Sequence, residues 1–116
     1  MSFERKKLGQ KGEDEALKYL ASKGYKFLGR NIRLFCGEID LLFEDSGVLV
    51  IVEVKTKTTG KYILPHEKVD LAKKRKLVQL AKALWQKFPD KTIRIDVVAI
   101  DEQADLMDHI INAVEE

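Results

Sequence analysis

The order of segments along the chain predicts an α/β protein: one small mixed sheet with helices on both sides, in the order αβββαβ followed by a tail. Three observations carry this reading. Two stretches, Glu4 to Lys23 and Glu67 to Phe88, repeat their apolar residues with a helical period. Between them lie three strand-like segments with turn residues at their joints. After the second helix comes a β-branched run, Thr92 to Ile100. A length of 116 residues suits a single domain over residues 1–116.

The first helix gathers Gly9, Ala16, Leu17 and Leu20 on one face, while Lys7, Lys11, Asp14, Glu15 and Lys18 fall on the other. Glu13 breaks the pattern, because it sits within the small and apolar stripe. Gly24 stands where a helix C-cap belongs. Tyr25 to Leu34 reads as a strand interrupted by Gly29 and Arg30-Asn31. Gly37 to Phe43 alternates as a half-buried strand, Glu44 to Gly47 has turn chemistry, and Val48 to about Lys57 returns as the second arm of a hairpin. Thr58 to His66, with Gly60 and Pro65, is a loop. In the second helix Leu77, Ala81, Leu84 and Phe88 form the apolar stripe, with Val78 and Trp85 beside it, and Pro89-Asp90 ends it. Leu106 to Val114 fits a short last strand or a helix.

Hydrophobic residues make up 45 % of the chain, which excludes a disordered protein. The 21 basic and 19 acidic residues leave a formal charge of +2, so an argument for nucleic acid must come from local clustering. One cysteine, Cys36, permits neither an internal disulfide nor a cysteine-rich zinc site. No stretch approaches the ~18 apolar residues of a membrane span, and the N-terminal residues have no secretory apolar run. A cytoplasmic protein without membrane contact is the expectation.

The apolar run Val48 to Val52 leads directly into Glu53-Val54-Lys55. On a strand Glu53 and Lys55 share a face. Pairing Phe43 with Val48 across a four-residue turn puts Asp40 opposite Ile51 and Glu38 opposite Glu53. A register shifted by two puts Asp40 directly opposite Glu53. Either way Asp40 and Glu53 share a face. Two such carboxylates repel, so one pKa rises or a cation binds. With Glu13 the formal charge is −3, Lys55 returns +1, and one divalent ion cancels the rest. Oxygen ligands alone suit Mg²⁺ or Mn²⁺.

These residues resemble the YraN-type family of small bacterial proteins, described as predicted endonucleases. That family is similar to archaeal Holliday junction resolvases, within the restriction-endonuclease-like PD-(D/E)XK superfamily. The resemblance rests on Gly12-Glu13 with Ala16 and Tyr19-Leu20, Asn31-Ile32-Arg33, and Gly37-Glu38-Ile39-Asp40-Leu41. It continues through Val52-Glu53-Val54-Lys55, Arg94-Ile95-Asp96-Val97-Val98 and His109-Ile110-Ile111-Asn112-Ala113. It implies a restriction-endonuclease-like core and a metal-dependent hydrolase cutting phosphodiester bonds of structured or branched DNA. Asp40 and Glu53, with the Val54 carbonyl, are then the metal ligands. Lys55 positions the attacking water or the phosphate, Glu13 completes the catalytic set, and Glu38 supports it from behind. Asn31 and Arg33 face phosphate, and a homodimer matches a two-fold junction. Two positions depart from the family pattern: Lys57 stands where an arginine is often found, and Tyr62-Ile63-Leu64-Pro65 lacks the glycine of a Phe-Gly-X-Pro turn.

Lys57 and Lys61 are further candidates to grip a phosphate backbone. Lys73 to Lys76 read instead as a solvated helix face. His66 is expected in a loop, His109 and Trp85 in packing, Asp96 in a structural role, and Cys36 as inert. The competing reading is a nucleic-acid-binding or accessory module that keeps the fold without turnover. A third is a protein-interaction role for the Leu106 to Glu116 tail.

Overall fold

The computed structural model describes residues 3–57 and 71–114. The order is α1 (Phe3–Ser22), β1 (Lys26–Leu34), β2 (Gly37–Asp45), β3 (Val48–Lys57), α2 (Leu71–Lys87), β4 (Thr92–Asp101) and β5 (Leu106–Ile110). The strands form one sheet in sequence order, antiparallel except where β3 and β4 run parallel. This is the αβββαβ arrangement expected, and the tail adds a fifth strand rather than a helix.

Each face of the sheet is covered. Ala16 and Leu20 of α1 pack with Leu41, Phe43, Val50, Val52 and Val98. Leu77, Leu80 and Leu84 of α2 pack on the other face with Leu49, Ile51, Ile95 and Val97. β3 lies between β2 and β4, so both of its faces are buried from Leu49 to Glu53. That accounts for its continuous apolar run, since a strand covered on both sides has no solvent face to alternate with.

The hairpin turn is shorter than expected. Asp45 pairs with Val48 and Leu41 with Val52, leaving Ser46 and Gly47 alone at the tip with φ of 51° and 85°. Two successive positive φ values define a type I′ turn, whose twist matches the twist of the strands. Glu44 and Asp45 therefore belong to β2. Carried one pair beyond Leu41 and Val52, this register sets Asp40 opposite Glu53.

Two apolar expectations fail at the far end of α2. The helix stops at Lys87, and Phe88 is exposed. Trp85, expected in packing, is 53 % exposed in a groove that it lines with Lys82, Lys91 and Asn112. Its neighbour Leu84 takes the buried position, and adjacent residues of a helix point about 100° apart. The loop Thr58 to His66, with Lys61, Pro65 and His66, and the expected first turn of α2 before Leu71 lie outside the described residues. Among the described residues, no helix is long and apolar enough to cross a membrane.

Candidate active site

The strict alternation of β2 breaks at one residue. Ile39 packs on the α2 side, yet Leu41, two residues later, packs on the α1 side. Asp40 stands at this break, and its Oδ2 accepts the Val54 backbone N–H at 3.1 Å. A side-chain oxygen thus takes the place of a ladder carbonyl. On the neighbouring strand, Ile32 pairs with Ile39 and Arg30 with Leu41. Between them Asn31 takes a φ of 52°, a left-handed conformation that asparagine tolerates better than most residues. Asn31, expected at a phosphate, stands on β1 beside the position of Asp40 on β2.

Glu53 closes the buried run of β3 with its side chain only 6 % exposed. Two cations meet on one of its oxygens: Lys73 Nζ of α2 at 2.9 Å and Lys55 Nζ at 3.4 Å from Oε1. Lys73 was the missed residue. In sequence it is one of four consecutive cations on a helix, and only the packing of α2 over the end of β3 shows which of them turns inward. The reading of that cluster as a wholly solvated face is corrected at this residue.

Burial pushes the Asp40 carboxyl up to about 7, and the neighbouring Glu53 and Glu13 charges add to the push. The Val54 N–H and Lys73 act the other way without cancelling it. Glu13 is near enough to be felt, but it is held by another partner. Arg30 Nε lies 3.2 Å from Glu13 Oε1, while the same guanidinium reaches Asp14 Oδ1 at 2.6 Å and the Gln10 carbonyl at 3.1 Å. α1 comes this close because residue 12 is glycine: a Cβ there would collide with Thr56 Cγ2 at the end of β3.

The charge count changes accordingly. Lys73 joins Lys55 on Glu53, and Arg30 is shared between Glu13 and Asp14, so the −2 expected for a divalent ion falls to −1 once Lys73, Arg30 and Asp14 are counted. Among the described residues no group of three or more His, Cys, Asp or Glu side chains is assembled as an ion cage. The donor set still fits Mg²⁺ or Mn²⁺. Asp40 and Glu53 are two hard carboxylates close enough for the Glu53 charge to raise the Asp40 carboxyl. Mg²⁺ sites commonly use one or two carboxylates and complete the shell with water and phosphate.

The remaining candidates sit further out. Glu38 is exposed and faces Arg33 across β1 and β2 at 3.8 Å. Neither touches Asp40 or Glu53 among the described residues. Lys57 ends β3, its carbonyl accepting the Glu102 N–H at 2.8 Å. Lys61 lies outside the described residues. Cys36 is half-buried, packed against the α2-side core.

A second ionic centre lies on the α1 face. Asp96 is completely buried. Its Oδ1 accepts from Arg94 Nε at 2.9 Å and the Asn112 N–H at 3.0 Å. Its Oδ2 meets His109 Nε2 at 2.7 Å, Arg94 Nη2 at 3.2 Å and the Tyr25 hydroxyl at 3.5 Å. Lys23 Nζ at 3.0 Å from His109 Nδ1 makes that nitrogen the acceptor and leaves the proton on Nε2, facing Asp96. Burial alone would raise the Asp96 carboxyl, but these partners win and hold it below its ordinary value. His109, expected in packing, is thus a hydrogen-bonded partner of Asp96.

Comparison with known proteins agrees with the motif reading. The model of "Uncharacterised protein family UPF0102" matches residues 12–100. The UPF0102 protein of Persephonella marina is 42 % identical over 94 residues, covering 79 % of this chain and 81 % of that protein. The UPF0102 protein of Geobacter metallireducens is 41 % identical over 120 residues, covering 99 % and 98 %. Among solved structures, the EndoMS–dsDNA2 complex is similar over 61 % of this chain and 26 % of that one, at 25 % identity and a TM-score of 0.44. The span from Gly12 to Ile100 contains Glu13, Asp40, Glu53, Lys55 and Lys73, and the chain belongs to the UPF0102 (YraN) family.

Proposed function

We propose that the protein is a Mg²⁺- or Mn²⁺-dependent endonuclease that hydrolyses phosphodiester bonds of structured or branched DNA. One observation carries this reading: the hairpin brings two carboxylates, Asp40 and Glu53, together beside Lys55, near enough that the Glu53 charge raises the Asp40 carboxyl. Asp40 and Glu53 would hold the ion, and a divalent ion held there would supply a water of lowered pKa and a Lewis acid for a phosphoryl oxygen. Lys55 orients the water or neutralises the phosphate, and its contact with Glu53 fixes its position. Glu13, tied to Arg30, adds negative potential at the edge of the site. Lys57, Lys61, Arg33 and Asn31 supply backbone contacts, and a two-fold homodimer fits a branched substrate by analogy with the resolvases.

The test is cleavage of a labelled four-way junction, a flap and a plain duplex in Mg²⁺ and Mn²⁺, with wild type and Glu53→Ala compared directly. Cleavage by wild type and loss of at least 100-fold in the variant is expected. Equal activity in both would end the proposal.

The charge balance favours a second reading, in which the same fold binds nucleic acid without cutting it. Lys55 and Lys73 on Glu53, and Arg30 on Glu13, already offset much of the negative charge without a metal. In that case neither protein cleaves, and both bind DNA with the same salt dependence.

A further inference from the structure

Lys73 and Lys55 both rest on Glu53 Oε1, and Lys73 has the shorter contact, 2.9 Å against 3.4 Å. They come from different elements. Lys55 belongs to the strand that carries Glu53 and cannot leave its neighbourhood. Lys73 reaches across from α2 on a long flexible stem, with its side chain one-third exposed. An ammonium on a metal-ligating carboxylate and a divalent ion on the same group compete, because each draws on the same negative charge. With Asp40 ionised, Asp40 and Glu53 are balanced by Lys55 and Lys73, so an added ion leaves two positive charges in excess at these four groups. That surplus is best relieved by an anion, and the anion at hand in the proposed reaction is a phosphate.

From this we infer that Lys73 couples the metal to the nucleic acid: it holds Glu53 until an ion binds, then turns its ammonium to a phosphate of the DNA. The inference rests on the endonuclease reading and adds to it a positioning residue and an order of events. Lys73 opposes metal binding by the protein alone and favours it when DNA is present. Metal and DNA therefore strengthen each other's binding by the same factor, as linkage requires. The site stays closed to adventitious ions until the substrate arrives.

The experiment is Mn²⁺ titration by calorimetry, with and without a phosphorothioate-linked duplex that resists cleavage. It compares wild type, Lys73→Met, Lys73→Arg and Asp40→Asn, each first checked for cooperative unfolding. Lys73→Met is expected to bind Mn²⁺ alone at least 5-fold tighter than wild type. The duplex should tighten Mn²⁺ binding at least 10-fold in wild type and less than 3-fold in Lys73→Met. Lys73→Arg, which keeps the charge, should behave like wild type in both arms, whereas a merely structural role for the lysine would not give that rescue. Wild type and Lys73→Met binding Mn²⁺ equally, with equal enhancement by the duplex, overturns the inference and leaves the metal site standing. Mn²⁺ binding that is absent in wild type, or unchanged in Asp40→Asn, overturns the metal reading and the inference with it.

Discussion

Two carboxylates are built into this sheet in opposite ways. Asp96 has every lone pair engaged, by a bidentate arginine, a histidine, a tyrosine and a backbone N–H. Its pKa is held down despite complete burial. Asp40 has one backbone N–H and a second carboxylate opposite, and its pKa is driven to about 7. Burial works the same way at both positions, so partners decide the outcome. A saturated carboxylate becomes an anchor, whereas one partly buried beside a like charge stores unfavourable energy that a cation can release.

The largest break in this contrast is Asp96→Ala. It leaves the buried His109 ring without its acceptor and Arg94 with only Asp45 and the Tyr25 hydroxyl, at an expected cost of about 3–5 kcal/mol. Urea unfolding at pH 7 measures it, and a loss under 1 kcal/mol would show that the cluster is not an anchor.

Asp40→Asn should act with the opposite sign. The folded Asp40 keeps its proton up to about pH 7, whereas the unfolded chain releases it near 3.8. Its favourable contribution is therefore full below about pH 4 and lost as pH rises through 7. At pH 8 the variant, which has no charge to bury, should be more stable than wild type by about 2–4 kcal/mol, with the gap closing as the pH falls to 4. Asp96 bounds the profile from the acid side, because a depressed pKa contributes stability that is present above the unfolded value and lost as pH falls through the folded one. Parallel melting curves of wild type and Asp40→Asn from pH 4 to 8 would contradict this account.

The smallest effect sharpens the comparison instead of breaking it. Arg30→Met converts Glu13 from a paired carboxylate into an open one. The expected loss is about 1 kcal/mol, since the pair is half-exposed. The apparent pKa of Asp40, followed by carboxyl NMR, should move further upward as Glu13 loses its counter-charge, and an unmoved value would separate the two groups.

Most of the fold was legible because periodicity survives packing. The helical stripe holding Ala16 and Leu20 and the long apolar run of β3 each correspond to buried faces. β2 alternates only from Asp40 onward, with Leu42 buried on the α2 side and Leu41 and Phe43 on the α1 side. Asp40 and Glu53 were legible as a pair for the same reason, since side-chain parity does not depend on register. What could not be read depended on contacts between distant segments. Arg30 reaches α1 and Lys73 reaches the end of β3 only because the helices are laid across the sheet. A charge count along one hairpin missed both. Trp85 failed differently: its place beside the apolar stripe of α2 said nothing about how much of the sheet that edge would cover.

The Ser46–Gly47 tip has a practical consequence for anyone preparing this protein. It lies some six residues from Asp40, about 20 Å along the strand. The four-residue alternative would leave the same side chains on the same faces but slide each β3 residue about 7 Å past its partner, so the tip and the close packing of the core choose the register together. Molecules locked in that other alignment would keep their β-sheet signal and solubility while presenting Glu38 where Asp40 belongs. An inert fraction in an otherwise clean sample would then be a conformational isomer, and the tip, the place most inviting for a tag or label, is where it would arise.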